Sequence, residues 1–486
     1  MSRKVIGPFN RVEGDLEVKI DIADDRVRDA WVTSPLFRGF EQILHGRDPM
    51  DALVYAPRIC GICSVSQSVA AALALADLQQ VEAPPNGVLT RNIILAAENV
   101  ADHLTHFYLF FMPDFCRATY EGEAWHPAAA ERFTAIKGSA ARDVLPARAE
   151  FMHILGLLAG KWPHTLAVQP GGTTRAVEAQ EQMRLIFILA GFRRFLEQRL
   201  FGAPLERIAG FASRAELAAY RDEAPAASAD FRHFLVIAAA LGLDRMGRAA
   251  DRFMSYGNYW LDGAPHFARG IYEAGAVTGV DPGDIAEDIS HSWMTGGDGP
   301  LHPFNGMTTP DPDNAQGYTW CKAPRLAGKV VEVGALARQA VDGQPLIRDL
   351  LADGGNVTVR VVARLVEIAR IVLAMESWAK QLKPKEPFCE TVEMPPEGAA
   401  FGLVEAARGA LGHWIRLKHG RILNYQIVAP TTWNFSPRDA QGQRGALEMA
   451  LLGAPIRAGE SDPVSVQHNV RSLDPCKVCT VHCCAA

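Results

Sequence analysis

The sequence has no apolar run long enough to cross a bilayer. Its most apolar stretch, LVIAAALGL at 235–243, falls well short of the ~20 residues required. The N-terminus, MSRKVIGPFN, lacks the apolar centre of a secretory signal. The expectation is a cytoplasmic chain with no membrane segment of its own. An excess of positive charge is also missing: 49 Lys and Arg stand against 55 Asp and Glu, a net of −6, and no basic run exceeds a few residues. That balance excludes an electrostatic nucleic-acid surface. No internal repeat and no linker-like break in composition divides the chain. With 48% apolar and 21% charged residues, it has the composition of a globular protein with a large core, and residues 1–486 read as a single integrated domain.

Nine cysteines are an odd number in a chain too long to need disulfide staples, which points to a reducing compartment. Cys116, Cys321 and Cys389 stand alone and read as small hydrophobes. Cys483 and Cys484, near the C-terminus, receive no role. The remaining four form two Cys-x-x-Cys pairs, Cys60/Cys63 and Cys476/Cys479, one towards each end of the chain.

Residues 16–32, LEVKIDIADDRVRDAWV, alternate apolar and polar around a polar turn and predict a β-hairpin within a β-rich N-terminal segment of about 1–35. From about 50 to about 270, Ala- and Leu-rich segments with helical periodicity dominate, including 89–112, 144–160, 175–200 and 227–243. Composition shifts to Gly, Pro, Asp and Asn over about 278–328, a long loop-rich segment of the kind that is functional or packed against a partner. Helical patterning returns at 330–382, and 410–434 reads as strands and turns. The expected class is α+β, predominantly α-helical, with a helical bundle core and a small N-terminal sheet.

Two Cys-x-x-Cys pairs can turn four thiolates toward one metal. On spacing alone the first candidate is structural zinc, since four sulfur ligands mean zinc or an iron–sulfur site. Zinc ribbons, however, bring their pairs within ~15–20 residues, whereas here almost the whole chain lies between them. The second pair also sits in DPCKVCTVH, with Asp and His at fixed offsets.

RICGIC at 58–63 and DPCKVCTVH at 474–482 resemble the two metal-binding signatures of the large subunit of nickel–iron hydrogenases. Further matches follow the order of that family: RVEGD at 11–15, FRGFE at 37–41, DHLTHFY at 102–108, EAARGALGHW at 405–414 and YQIVAPTTWNFSPRD at 425–439. The resemblance implies that family's large-subunit fold and a nickel held by Cys60, Cys63, Cys476 and Cys479. Cys63 and Cys479 would bridge to an iron carrying carbonyl and cyanide. Soft thiolates suit nickel, and bridging thiolates hold two metals close together. It further implies that a terminal thiolate at Cys476 takes the proton from hydrogen and passes it to Glu13; without the flanking motif, Glu13 reads as a solvated strand-edge carboxylate.

Asp102, Arg408 and Asp474 match the polar residues around the open metal position, where a guanidinium between carboxylates can polarise hydrogen or assist proton transfer. Read by itself, Asp474 simply opens the turn before Pro475. Thr431 corresponds to a hydroxyl that bonds cyanide in the family and is otherwise a turn residue. Glu41, His482 and the carbonyl of Ile427 match the ligands of a buried magnesium. His103 and His106 read as satisfied histidines rather than ligands.

Three features depart from the catalytic pattern. Gln67 stands where His is expected; it can donate a hydrogen bond to a bridging thiolate but cannot carry a proton. Only CCAA follows His482, where most members have a longer extension removed on maturation. Ile62 and Phe110 stand where many relatives have Val and Leu; lining the gas route, they would admit hydrogen and retard oxygen, and otherwise they are exchanges of core volume. Ala407 replaces a frequent Pro.

The first two departures resemble the hydrogen-sensing branch. The expectation is therefore a slow, reversible hydrogenase subunit that passes electrons to an iron–sulfur small subunit and controls hydrogenase gene expression. A heterodimer, or a dimer of heterodimers, would signal to a histidine kinase. The clusters belong to the partner, because the remaining cysteines form no cluster motif. A catalytic uptake hydrogenase is the second expectation. The third is a non-catalytic scaffold with structural zinc, or a subunit similar to the quinone-reductase component of respiratory complexes; those relatives lack the four thiols, so retention of both pairs here argues against that version.

Overall fold

The computed structural model describes residues 2–480 apart from 298 and 458. The expected N-terminal hairpin is present, as Glu17–Ala23 paired antiparallel with Arg26–Thr33, and a third strand, Ser2–Ile6, extends it. Its apolar face, with Leu16, Val18, Ile20 and Val32, packs against Leu447, Val466 and Val470 from near the C-terminus. The two ends of the chain therefore share one small core.

The main core is helical. Its long helices are Ser64–Gln79, Pro85–Thr105, Ser139–Ala159, Ala179–Phe195, Asp230–Leu241 and Val357–Gln381. Ser64–Gln79 is buried on nearly every side, which explains its run of Ala and Ser: small side chains let neighbours approach from all directions. The strand Gly398–Ala406 approaches so closely that a Cβ on Gly402 would lie 2.0 Å from the carbonyl oxygen of Ala70. Pro85 opens the next helix at a position where its missing N–H costs nothing, and Asn356 caps Val357–Gln381 by accepting from the Val359 N–H at 3.0 Å. Pro85–Thr105 runs on into a π-helical turn, His106–Phe111.

The helical expectation fails between 252 and 273, where Arg252–Leu261 and Ala264–Glu273 form an antiparallel hairpin. Asp262 and Gly263 both have positive φ, 51° and 80°, as a two-residue turn between twisted strands requires. The Asp-Gly pair was the overlooked signal. In 278–328 the loop carries only short pairings, Ile285–Asp288 with Ala323–Leu326 and Met294–Thr295 with Thr309–Pro310. The 410–434 segment gives two strands of a three-stranded sheet, Gly409–Lys418 and Arg421–Val428, but ends in a short helix, Pro430–Asn434.

Candidate metal centre

Cys60, Cys63, Cys476 and Cys479 are all buried within the main core. Their four sulfurs lie within 4.8 Å of one another. Cys60 and Cys476 are 3.4 Å apart, Cys63 and Cys479 3.1 Å, and Cys476 and Cys479 3.0 Å. These separations far exceed the ~2.05 Å of a disulfide; the sulfurs converge on a common point.

Charge gives the fit test for a metal. Burial opposes ionisation of Cys60, but contacts from the other three sulfurs and the charge of Arg408 bring it well below a normal thiol. Contacts from the neighbouring sulfurs push Cys63 well up; burial does the same to Cys476 and raises Cys479. The protein alone thus supports one thiolate readily and resists four. A soft, multivalent cation removes that resistance, so the donor set fits nickel.

The first pair sits on a loop held from three sides. Arg38 donates to the carbonyls of Ile59 and Arg58, the latter at 3.0 Å. His164 Nδ1 bonds the carbonyl of Pro57 at 2.9 Å. Glu98 accepts from the N–H groups of Val65 and Ser66, at 2.8 and 2.9 Å, where the helix begins directly after Cys63.

The second pair brackets a single 3-10 turn, Lys477–Cys479, with Cys476 at its N-cap position. Asp474 has φ 54°, a left-handed conformation that turns the backbone toward the cluster. Thr431 Oγ1 accepts from the Cys476 N–H at 3.0 Å, which leaves its own hydroxyl hydrogen free to donate to a metal-bound group. Glu13 runs alongside: its carbonyl accepts from the Lys477 N–H at 2.8 Å, and its N–H donates to the Pro475 carbonyl at 3.4 Å. It is half-buried, and burial together with the Cys60 charge raises its carboxyl above the usual range. Glu13 is therefore half-buried beside the second cysteine pair rather than fully solvated at a strand edge.

Above the sulfurs, Arg408 is clamped as expected. It donates to both carboxylate oxygens of Asp102, one at 3.2 Å, and to Asp474 through Oδ1 and the main-chain oxygen, each at 3.1 Å. Burial pushes Asp102 up to about 7; for Asp474, burial is opposed by Arg408 together with His106, Arg364 and His103, which hold it below its ordinary value. Asp474 Oδ2 has no hydrogen-bond partner, and the turn-residue reading does not account for a carboxylate buried this deeply.

Gln67 lies one helical turn after Cys63, and its Oε1 takes the Nε2–H of His413 at 2.8 Å, while His413 Nδ1 meets the Tyr425 hydroxyl at 2.7 Å. Ile62 packs partly buried on the main core and Phe110 is half-buried in the π-helical turn. His103 and His106 are buried core residues rather than ligands of the cluster, but each is only half satisfied: Nε2 bonds to Glu367 at 3.0 Å and to the Arg471 carbonyl at 2.7 Å, respectively, and neither Nδ1 has a hydrogen-bond partner.

A second polar cluster surrounds Glu41, whose Oε1 accepts from the Ile427 N–H at 2.9 Å. Lys322 Nζ lies 3.4 Å from Glu41, 3.4 Å from Glu287 and 2.6 Å from Gln426 Oε1. Glu287 Oε1 is buried with no partner. Lys322 thus faces two carboxylates, one oxygen of Glu287 is left without a partner, and burial pushes Glu287 up to about 7. Thr480 lines the same cavity, whereas His482, Cys483 and Cys484 lie outside the described residues.

Lys322 and Glu287 were not foreseen, since lone charges in a Gly/Pro-rich loop carry no pattern. Nor were Arg38, His164 and His413. Glu98 was within reach, four residues before Asp102 on the same helical face.

The comparisons with known proteins agree with this geometry. The profile of the nickel-dependent hydrogenase family matches residues 38–144 and 142–482. The large subunit of the periplasmic [NiFeSe] hydrogenase of Desulfomicrobium baculatum is 31% identical over 514 residues, covering 98% of this chain and 94% of that one. The uptake hydrogenase large subunit of Rhodobacter capsulatus is 28% identical, covering 100% and 96%. The reduced Ni-Fe-Se hydrogenase of Desulfovibrio vulgaris Hildenborough superposes with a TM-score of 0.84 at 29% identity, over 99% of this chain and 100% of that one. Four converging thiols in this fold are thus a nickel–iron site rather than a zinc scaffold: the chain belongs to the nickel-dependent hydrogenase family, as an enzyme of its large-subunit type.

Proposed function

We propose that this subunit is a cytoplasmic hydrogen sensor: a slow, reversible nickel–iron hydrogenase whose output controls hydrogenase gene expression. The observation that carries this reading is Gln67, held by His413 beside the metal loop. It gives the site a fixed amide where a titratable imidazole would speed proton transfer. The runner-up is a metabolic uptake hydrogenase, favoured by the names of several relatives.

Cys60, Cys63, Cys476 and Cys479 would hold the nickel, with Cys63 and Cys479 shared with an iron bearing carbonyl and cyanide. When bound, this group supplies the electron-accepting metals on which hydrogen is split heterolytically. Cys476 Sγ takes the released proton and Glu13, beside it, carries it outward. Its raised carboxyl is suited to both accepting and releasing a proton. Arg408, fixed by Asp102 and Asp474, keeps a positive charge over the site without reorganisation. Thr431 orients a cyanide, and Ile62 and Phe110 narrow the gas route. Glu41, the carbonyl of Ile427 and His482 would hold magnesium, with Lys322 and Glu287 beside Glu41.

Working as one integrated unit, the chain passes electrons to an iron–sulfur small subunit in a heterodimer, or a dimer of heterodimers, which signals to a histidine kinase. No helix among the described residues is long and apolar enough to cross a membrane. The test is transcription of the host's hydrogenase genes with and without hydrogen, in cells with and without this subunit. Loss of the hydrogen response on deletion supports sensing; an unchanged response overturns it in favour of uptake.

A further inference from the structure

Cys63 is the residue immediately before the helix Ser64–Gln79, the N-cap position, yet its sulfur makes no capping hydrogen bond. At an N-cap the side chain normally accepts the free N–H of the second or third helical residue. Both are taken here by Glu98, which reaches in from the helix Pro85–Thr105: one oxygen accepts from the Val65 N–H at 2.8 Å, the other from the Ser66 N–H at 2.9 Å. The Ser66 hydroxyl adds a bond at 3.0 Å, the Ser64 hydroxyl one at 3.4 Å and the Trp162 indole one at 3.0 Å. Glu98 is 2% exposed, so these five donors are its whole solvation.

We propose that Glu98 is a positioning residue that caps this helix in place of Cys63, keeping the helix-end N–H groups off the Cys63 sulfur so that its electron density goes to the metals. The proposal rests on the reading that Cys63 bridges to an iron bearing carbonyl. An uncapped N-terminus carries about half a positive charge, and backbone N–H groups turned onto a thiolate withdraw its donating power. The carboxylate cancels the first effect and prevents the second. Asp102 stands four residues further along the same helix and grips Arg408, so one rigid face sets both a bridging sulfur and the charge above the site.

The consequence is readable in the carbonyl stretch, because weaker sulfur donation reduces back-bonding from iron and stiffens the carbon–oxygen bond. In the metal-loaded heterodimer, Glu98→Gln removes the charge and one acceptor, and the carbonyl band should move to higher wavenumber. Trp162→Phe removes a donor that draws on Glu98, leaving more negative charge facing the helix, and should move the band the other way. A merely structural residue would lower stability in both variants and leave the band of the metal-loaded fraction in place. Unmoved bands in both, or shifts of the same sign, overturn the proposal. Should Glu98→Gln fail to assemble the site, a downward shift in Trp162→Phe sustains the proposal and an unmoved or upward band overturns it. Absence of any carbonyl band in the unsubstituted protein is a separate result, and it overturns the underlying reading of the iron.

Discussion

The two cysteine pairs supply equivalent sulfurs from unlike supports. Cys60 and Cys63 precede a buried helix, and their loop is tied by Arg38, His164 and Glu98. Cys476 and Cys479 bracket one short 3-10 turn, which is held in place through Thr431, the Glu13 main chain and Arg408. The first support depends on regular structure with several side-chain ties. The second depends on contacts from residues 11–15 and 405–431, two from the Glu13 main chain, two from Arg408 and one from Thr431, so it takes shape only when the ends of the chain have met. A scaffold of the first kind should tolerate single losses; one of the second kind should not.

The largest effects will come from the sulfurs. Cys63→Ser and Cys479→Ser should each reduce nickel content and hydrogen oxidation to background, because on the proposed reading each support contributes one bridging sulfur and both are required. Retention of nickel in either would break the equivalence. Arg408→Lys should lower kcat by about 100-fold with nickel retained, since a lysine keeps the charge but cannot grip Asp102 and Asp474 together. Glu13→Gln should suppress hydrogen–deuterium exchange while the metal site stays assembled; wild-type exchange rates would remove Glu13 from the proton route.

A direct contrast between the supports is available in Thr431→Val and His164→Ala. The first strands the buried Cys476 N–H at a cost of about 1–3 kcal/mol, whereas the second leaves the Pro57 carbonyl to be served by water, at about 0.5–1.5 kcal/mol. Urea titration with nickel release as the readout should place Thr431→Val below His164→Ala; the reverse order contradicts the idea that the second support is the more fragile. The smallest effect concerns gas access. Ile62→Val with Phe110→Leu should increase oxygen sensitivity, read as faster inactivation in air, without changing nickel content.

Much of this centre was legible in the sequence because its residues lie in short, ordered motifs: the four cysteines come together, with Arg408 held between Asp102 and Asp474 and Thr431 on the Cys476 N–H, while Glu41 lies in a separate polar cluster. The N-terminal hairpin and long helices were legible for a different reason, since periodicity marks which face is buried. The hairpin at 252–273 was hidden because eight of the ten residues of its first strand are buried. A strand covered on both faces loses its alternation and resembles a buried helix. Lys322, Glu287 and His413 were hidden because each is a single polar residue whose meaning comes from partners far away in the chain. Glu98 falls between these cases, since the helix face was readable but its target at the start of another helix was not.

Infrared spectroscopy of the purified heterodimer, with metal analysis of the same sample before and after exposure to hydrogen, tests the nickel–iron assignment most directly. The expected result is carbonyl and cyanide bands, roughly one nickel per chain, as one four-thiolate site requires, and bands that shift when hydrogen is admitted. Zinc in place of nickel, with no such bands in properly matured protein, would contradict it.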